Sequence, residues 1–183
     1  MDEIALHILD LVQNSIAAGA ARVTLEVEES GEWMVVRIVD DGCGMDEDMA
    51  HRAQDPFTTT RTTRKVGLGI PLCKAGCEAA GGDLTLESQP GRGTTVTCRW
   101  RWGHIDRPPL GDMAGTVFTL VATNPTLELC YRHRVGESEF GFDTAQVRAI
   151  LDGVPLDHPD VRDWLRQHLI EGEQDVAGGI RER

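Results

Sequence analysis

Aromatic side chains are scarce in this chain: one tyrosine, four phenylalanines and four tryptophans among 183 residues. Cations are also in short supply, with 18 Lys and Arg against 30 Asp and Glu, and the formal net charge is -12. A surface of that sign repels nucleic acid and anionic membranes. No apolar run approaches the ~20 residues of a membrane span. The N-terminus leads straight into a helical pattern, with no signal-peptide core before it. The expectations are therefore no nucleic-acid partner, no membrane insertion and a cytoplasmic location. The five cysteines, Cys43, Cys73, Cys77, Cys98 and Cys130, are odd in number and unpatterned, as for reduced thiols. Cys73 and Cys77 stand one helical turn apart and could give a metal two ligands. No further pair at metal spacing follows, and small buried hydrophobes account for them more simply.

What is present is a chain 40% hydrophobic, enough for one solid core or one core with a small annex. Leu6 to Ala20 reads as a helix of strong formers closed by Gly19. It is apolar almost all round, through Ile4, Ala5, Ile8, Leu9, Leu11, Val12, Ile16 and Ala17, as a buried helix is. One narrow polar stripe interrupts it: Glu3, His7, Asp10 and Asn14 project within roughly 60° of one another. Polar groups on a buried helix are costly unless something pairs with them. A solvated edge on a core helix is the plainer reading, and His7 is read as a pocket or core histidine.

Alternation from Arg22 to Glu29 and from Trp33 to Val39 around Ser30-Gly31-Glu32 predicts an antiparallel hairpin. It runs into Asp40-Asp41-Gly42-Cys43-Gly44-Met45, whose spaced glycines let backbone turn sharply and approach a ligand. Asp46 to Gln54 is expected as a short helix. Thr58 to Lys65 then carries Arg61, Arg64 and Lys65 and no acid, either a site for an anion such as phosphate or a solvated loop. Gly67-Leu68-Gly69 opens a helix to about Ala80, an arrangement that leaves backbone amides for phosphate oxygens. Strands are expected over Asp83 to Ser88 and Thr94 to Trp102.

Four blocks in this order resemble the GHKL ATPase superfamily of gyrase, the ninety-kilodalton heat-shock chaperones, histidine kinases and MutL. Asp10-Leu-Val-Gln-Asn14-Ser-Ile-Ala-Ala-Gly19 resembles the N box and Asp40-Asp-Gly42-Cys-Gly44-Met45 the G1 box. Pro56-Phe57-Thr58 resembles the F box of histidine kinases, and Gly67-Leu68-Gly69 the G2 box. Gly81-Gly82 through Gly91-Arg-Gly93-Thr94-Thr95 resembles the closing strand pair. The resemblance implies an α+β, two-layer sandwich of Bergerat type: a mixed sheet with helices on one face, over residues 1–104. It further implies ATP and Mg²⁺ as ligands. Asn14 would hold the metal, Asp40 would accept the adenine amino group, and Gly44 would give the ring close approach. Asp10 would be the general base. Thr58 to Val66 would form a lid, with Arg61, Arg64 or Lys65 near the γ-phosphate. Gly67 and Gly69 would line the triphosphate, Thr94 would flank adenine, and Gly42, Met45, Phe57 and Leu68 complete the contacting set.

Two positions depart from the pattern. The base in most catalytic members is glutamate, and Asp10 is one methylene shorter, which bears on how well it is positioned. Lys65 stands where histidine kinases usually carry a further glycine.

Arg107-Pro108-Pro109 marks a boundary, leaving residues 105–183 as a small α+β annex. Gly115 to Thr123 and Leu127 to Val135 are expected as a strand pair, and Asp143-Thr-Ala-Gln146 as a capping box opening a helix to about Leu151. Pro159 to Ile170 is a helix with Val161, Trp164, Leu165 and Leu169 on one face, packed on the annex or against a partner or second copy. Glu171 to Arg183 is expected to fray. No acceptor hairpin is expected before the N box and no transducer domain after Trp102. The expected function is therefore an ATP-Mg²⁺-binding regulatory protein kinase or ATPase that acts on an unidentified protein partner or phosphoacceptor. A nucleotide-gated interaction module with little catalysis is the alternative.

Overall fold

The computed structural model describes residues 3–55 and 68–178. Helix α1 (Ile4–Ala17) buries Ile4, Ala5, Ile8, Leu11 and Val12, and Gly19 turns the chain away at φ 77°. Strands β1 (Arg22–Ser30) and β2 (Trp33–Asp40) form the expected hairpin, with Val23 opposite Asp40 and Ser30 opposite Trp33. Helix α2 (Glu47–Ala53) is capped by Asp46, whose carboxylate accepts from the Met49 amide. Helix α3 (Gly69–Ala79), β3 (Asp83–Gln89) and β4 (Gly93–Arg101) follow within a residue or two of the bounds read from the sequence.

The remaining elements are α4 (Met113–Thr123), β5 (Glu128–Val135), β6 (Ser138–Asp143), α5 (Thr144–Leu151) and α6 (Pro159–Gly178). The six strands of the described residues share one sheet in the order β3-β4-β2-β1-β5-β6. Only β1 and β5 run parallel; every other neighbouring pair is antiparallel. Val23, Leu25 and Val27, Met34, Val36 and Ile38, and Val96, Cys98 and Trp100 alternate into the core. The intervening positions form a charged outer face, where Glu26 meets Arg37 at 3.5 Å and Arg132 at 3.8 Å. The architecture is the expected two-layer α+β sandwich, with a mixed sheet and one helical layer.

The region after residue 104 differs from its sequence reading in two places. Met113–Thr123 is a helix, not the first strand of a pair. Asp112 caps it by accepting from the Gly115 amide at 2.8 Å, and Thr119 and Thr123 turn their hydroxyls back onto carbonyls one turn earlier, at 2.7 Å each. A short apolar run does not distinguish a buried strand from a buried helix, and here packing against α1 and α6 decides. Strand β5 therefore has no hairpin partner before it and pairs with β1 instead, so that β5 and β6 continue the sheet of residues 1–104. Second, residues 171–178 of the tail expected to fray extend α6 instead, the rest of that tail lying outside the described residues. The Glu173 carboxylate accepts from Tyr131 Oη at 2.7 Å and meets His133 Nδ1 at 2.9 Å, and Val176 is buried. Asp143 caps α5, accepting from the Ala145 amide, but the expected box is half made: the Gln146 side chain has no hydrogen bond among the described residues. Of the α6 stripe, Val161, Leu165 and Leu169 are buried, while Trp164 stays 48% exposed, stacked on His168.

Candidate functional site

Three segments meet at one end of the sheet's helical face: the C-terminal half of α1, the loop after β2, and the start of α3. Asp10 and Asn14 are four residues apart on α1 and so project from one side of it. Gly69, the first residue of α3, closes against both. A Cβ built on it would lie 3.3 Å from Asp10 Cβ, 3.6 Å from Asp10 Oδ2 and 3.8 Å from Asn14 Nδ2. The glycine is what lets α3 start this close to α1. Among the described residues neither the Asp10 carboxylate nor the Asn14 amide has a hydrogen-bond partner. Leu68, just before, is exposed.

Asp40 ends β2 and is only 8% exposed. Its carboxylate accepts from Ser15 Oγ at 2.6 Å, from the Gly42 amide at 2.9 Å and from the Thr94 amide at 3.1 Å. A buried carboxylate is tolerable only with such a set of donors. The same bonds fix the bend after β2 to both α1 and β4. Asp41 is turned the other way and holds the start of β1, accepting from the Ala21 and Arg22 amides at 2.8 Å each.

The glycines of this loop have a packing role. Gly44 has φ 65°, and a side chain on it would collide with the Gln89 carbonyl; Gly93 has φ 88°, and a side chain there would collide with the Asp40 carbonyl. The loop is thus pressed onto the β3–β4 turn. The Met45 amide donates to Ser88 Oγ at 2.8 Å, and Ser88 Oγ lies 2.9 Å from Thr94 Oγ1. Ser88 was not singled out from the sequence; a lone serine on a strand carries no local signal, and only pairing of β3 with β4 puts it there. Together Asp40, Met45, Gln54, Leu86, Ser88 and Thr94 line an open cleft of about 890 Å³. Asp10, Asn14 and Gly69 stand outside that lining.

Phe57, Thr58, Arg61, Arg64, Lys65 and Gly67, and with them the expected lid, lie outside the described residues. His7 is 3% exposed, with its Nε2 3.8 Å from the Cβ position of Gly76 on α3. Burial lowers its pKa below the ordinary histidine value, and its Nδ1 has no partner among the described residues. A second group the sequence did not assemble lies under α3, where Cys98 of β4 joins Cys73 and Cys77.

Residues 2–104 match a family model described as histidine kinase-, DNA gyrase B- and HSP90-like ATPase. The chain is 32% identical over 93 residues to the signal transduction histidine-protein kinase AtoS of Escherichia coli, which covers 49% of this chain and 15% of that protein. It is 29% identical over 98 residues to sporulation kinase D of Bacillus subtilis, covering 52% of this chain and 19% of the kinase. With the DNA mismatch repair protein MutL of Chlorobaculum parvum the identity is 42% over 52 residues, 28% of this chain and 8% of that protein. The chain thus spans less than a fifth of the length of each of these relatives. In three dimensions it resembles the crystallised N-terminal domain of a DNA repair protein, with a TM-score of 0.52 at 14% identity, over 77% of this chain and 52% of that one. The likeness in shape therefore runs well past residue 104.

Proposed function

The chain belongs to the histidine kinase-, DNA gyrase B- and HSP90-like ATPase family, and from that premise we propose that it binds ATP with Mg²⁺ and serves as a regulatory protein kinase or ATPase in signal transduction. The observation that carries this reading is the convergence of Asp10 and Asn14 on the side-chain-free backbone of Gly69, where α3 begins.

The residues present suit the ligands. Asn14 brings an amide oxygen of the kind a hard cation takes, with no partner in its way among the described residues. Mg²⁺, when bound, neutralises charge on the transferring phosphates. The start of α3 offers unpaired amides to phosphate oxygens. Asp40 fits adenine by arithmetic of its lone pairs. A carboxylate has about four acceptor sites, and three are taken by Ser15, Gly42 and Thr94. The remaining one suits an exocyclic amino group, with Met45 and Thr94 at the cleft wall. Asp10 is exposed and would accept a proton from the attacking hydroxyl or water. The basic stretch of Arg61, Arg64 and Lys65 would add to the positive charge of Arg92, which lines the cleft. Transfer would go to a protein acceptor that the chain meets in trans.

Isothermal titration with ATP, with and without Mg²⁺, followed by phosphate release on the same sample, tests this. Asn14→Ala is expected to weaken Mg²⁺-dependent binding at least tenfold with an unchanged circular dichroism spectrum; unaltered binding would sink the metal assignment. Asp10→Asn should bind ATP and lose turnover. The shorter side chain of Asp10 favours a second reading, in which ATP gates a protein contact without being consumed. Tight binding with no release, even with a partner present, would select it.

A further inference from the structure

Beneath α3, away from the nucleotide cleft, three of the five cysteines come together. Cys73 and Cys77 face inward from successive turns of α3, and Cys98 meets them from β4. All three are 0% exposed. Their sulfurs lie within 4.8 Å of one another, and Cys73 and Cys98 are 3.5 Å apart. In the plane of such a triangle, the point equidistant from its three corners lies about 1.8–2.6 Å from each, which brackets the ~2.3 Å of a metal–thiolate bond.

We propose that Cys73, Cys77 and Cys98 hold one thiophilic metal ion, Zn²⁺ or Cu⁺, through three thiolates.

Space filling alone asks only for small apolar side chains at these positions. It does not ask for three sulfurs with a common centre, drawn from two elements that meet only on folding. Thiolate sulfur selects soft or borderline cations over Mg²⁺, so this site and the nucleotide site would not compete for metal. The coordination number separates the two candidates. Cu⁺ is satisfied by the three sulfurs, whereas structural Zn²⁺ takes four ligands. His7 packs against α3 at Gly76, next in sequence to Cys77, with its Nδ1 buried and unpartnered among the described residues; its nitrogens stand outside the 4.8 Å set of sulfurs, so a fourth bond to Zn²⁺ would need the ring to move in. A bound ion would tie α3 to β4. Cys73 lies one turn beyond Gly69, so the tie would also fix the start of α3 against Asp10 and Asn14.

The test is metal content and affinity of the full-length chain, reduced and purified without added chelator, measured by elemental analysis and by competition with a chromophoric chelator for Zn²⁺ and, separately, for Cu⁺. About one equivalent per chain is expected. Affinity should drop at least tenfold in Cys73→Ala and in Cys98→Ala and stay unchanged in Cys43→Ala. A tenfold loss for Zn²⁺ alone in His7→Ala would assign zinc with His7 as fourth ligand; no change there, with Cu⁺ the tighter ion, would assign copper. Because core variants can misfold, Co²⁺ is also added to the wild-type chain, where three thiolates give intense sulfur-to-metal charge-transfer absorption. Less than a tenth of an equivalent of either ion, no charge-transfer band, or full affinity in both cysteine variants overturns the proposal.

Discussion

At the scale of the residue, Asp40 shows how one side chain serves fold and ligand together. Its three donors come from α1, from its own loop and from β4, so the carboxylate is both a fastener and the floor of the cleft. Ser15→Ala removes a donor to a buried charge, and such a bond is worth about 1.5–3 kcal/mol. The expected result is a lower melting temperature with ATP binding retained, read by calorimetry on one sample. His133 makes a second, independent claim. Burial opposes a charged ring there, but hydrogen bonds and charge from Glu173 and Glu29 outweigh it and raise the pKa to about 9. A pKa raised above its unfolded value of about 6.5 gives stability that is complete below pH 6.5 and lost as pH climbs through 9. Denaturant unfolding from pH 6.5 to 9.5 should lose about 2–4 kcal/mol, and Glu173→Gln should flatten most of that slope. Nothing in the sequence announced this group. His133 is separated from Glu173 by 40 residues and from Glu29 by 104, and no local pattern encodes such a meeting.

At the scale of the element, the glycine loop after β2 and the β3–β4 turn stand or fall together. Gly93→Ala would press a methyl group into the Asp40 carbonyl and force a strained φ. The expected cost is about 2–4 kcal/mol, with loss of nucleotide binding, seen as parallel falls in midpoint and affinity. This loop was legible because its chemistry is local: spaced glycines after a strand and a carboxylate at the strand end mean the same thing in any fold. The polar stripe on α1 was legible for the same reason, and the structure sets Asp10 and Asn14 on one side beside Gly69. Helix α4 was not. Three threonines, two valines and Phe118 suggest strand by propensity, and propensity yields to packing when both faces of an element are covered. The same limit hid Cys98 from Cys73 and Cys77: an i, i+4 pair is visible on paper, but its third member arrives through strand pairing.

At the scale of the whole molecule, β1 is an interior strand, hydrogen-bonded to β2 on one side and to β5 on the other. The N-terminal helix is fastened to the segment after residue 104 again where the Ile4 and Ala5 amides donate to the Pro109 and Leu110 carbonyls, at 2.9 and 2.8 Å. A fragment of residues 1–104 would bare a full strand edge and the side of α1 that α4 covers. Size-exclusion chromatography and thermal melting of that fragment should show association and no cooperative transition. A monomer that melts sharply would mean that the family segment stands alone.

The parallel pairing of β1 with β5 also sets a clock. Arg22 meets Glu128, and a ribosome adding about 5–20 residues each second needs roughly 5–20 s to travel between them. In the last third of that interval, once Gly93 has been made, the nascent chain carries every glycine motif of its nucleotide site but still lacks the strand that completes the sheet beneath it. An early stop would leave a product with the whole signature and an open edge, which is a substrate for chaperones and proteases more than a weak ATPase.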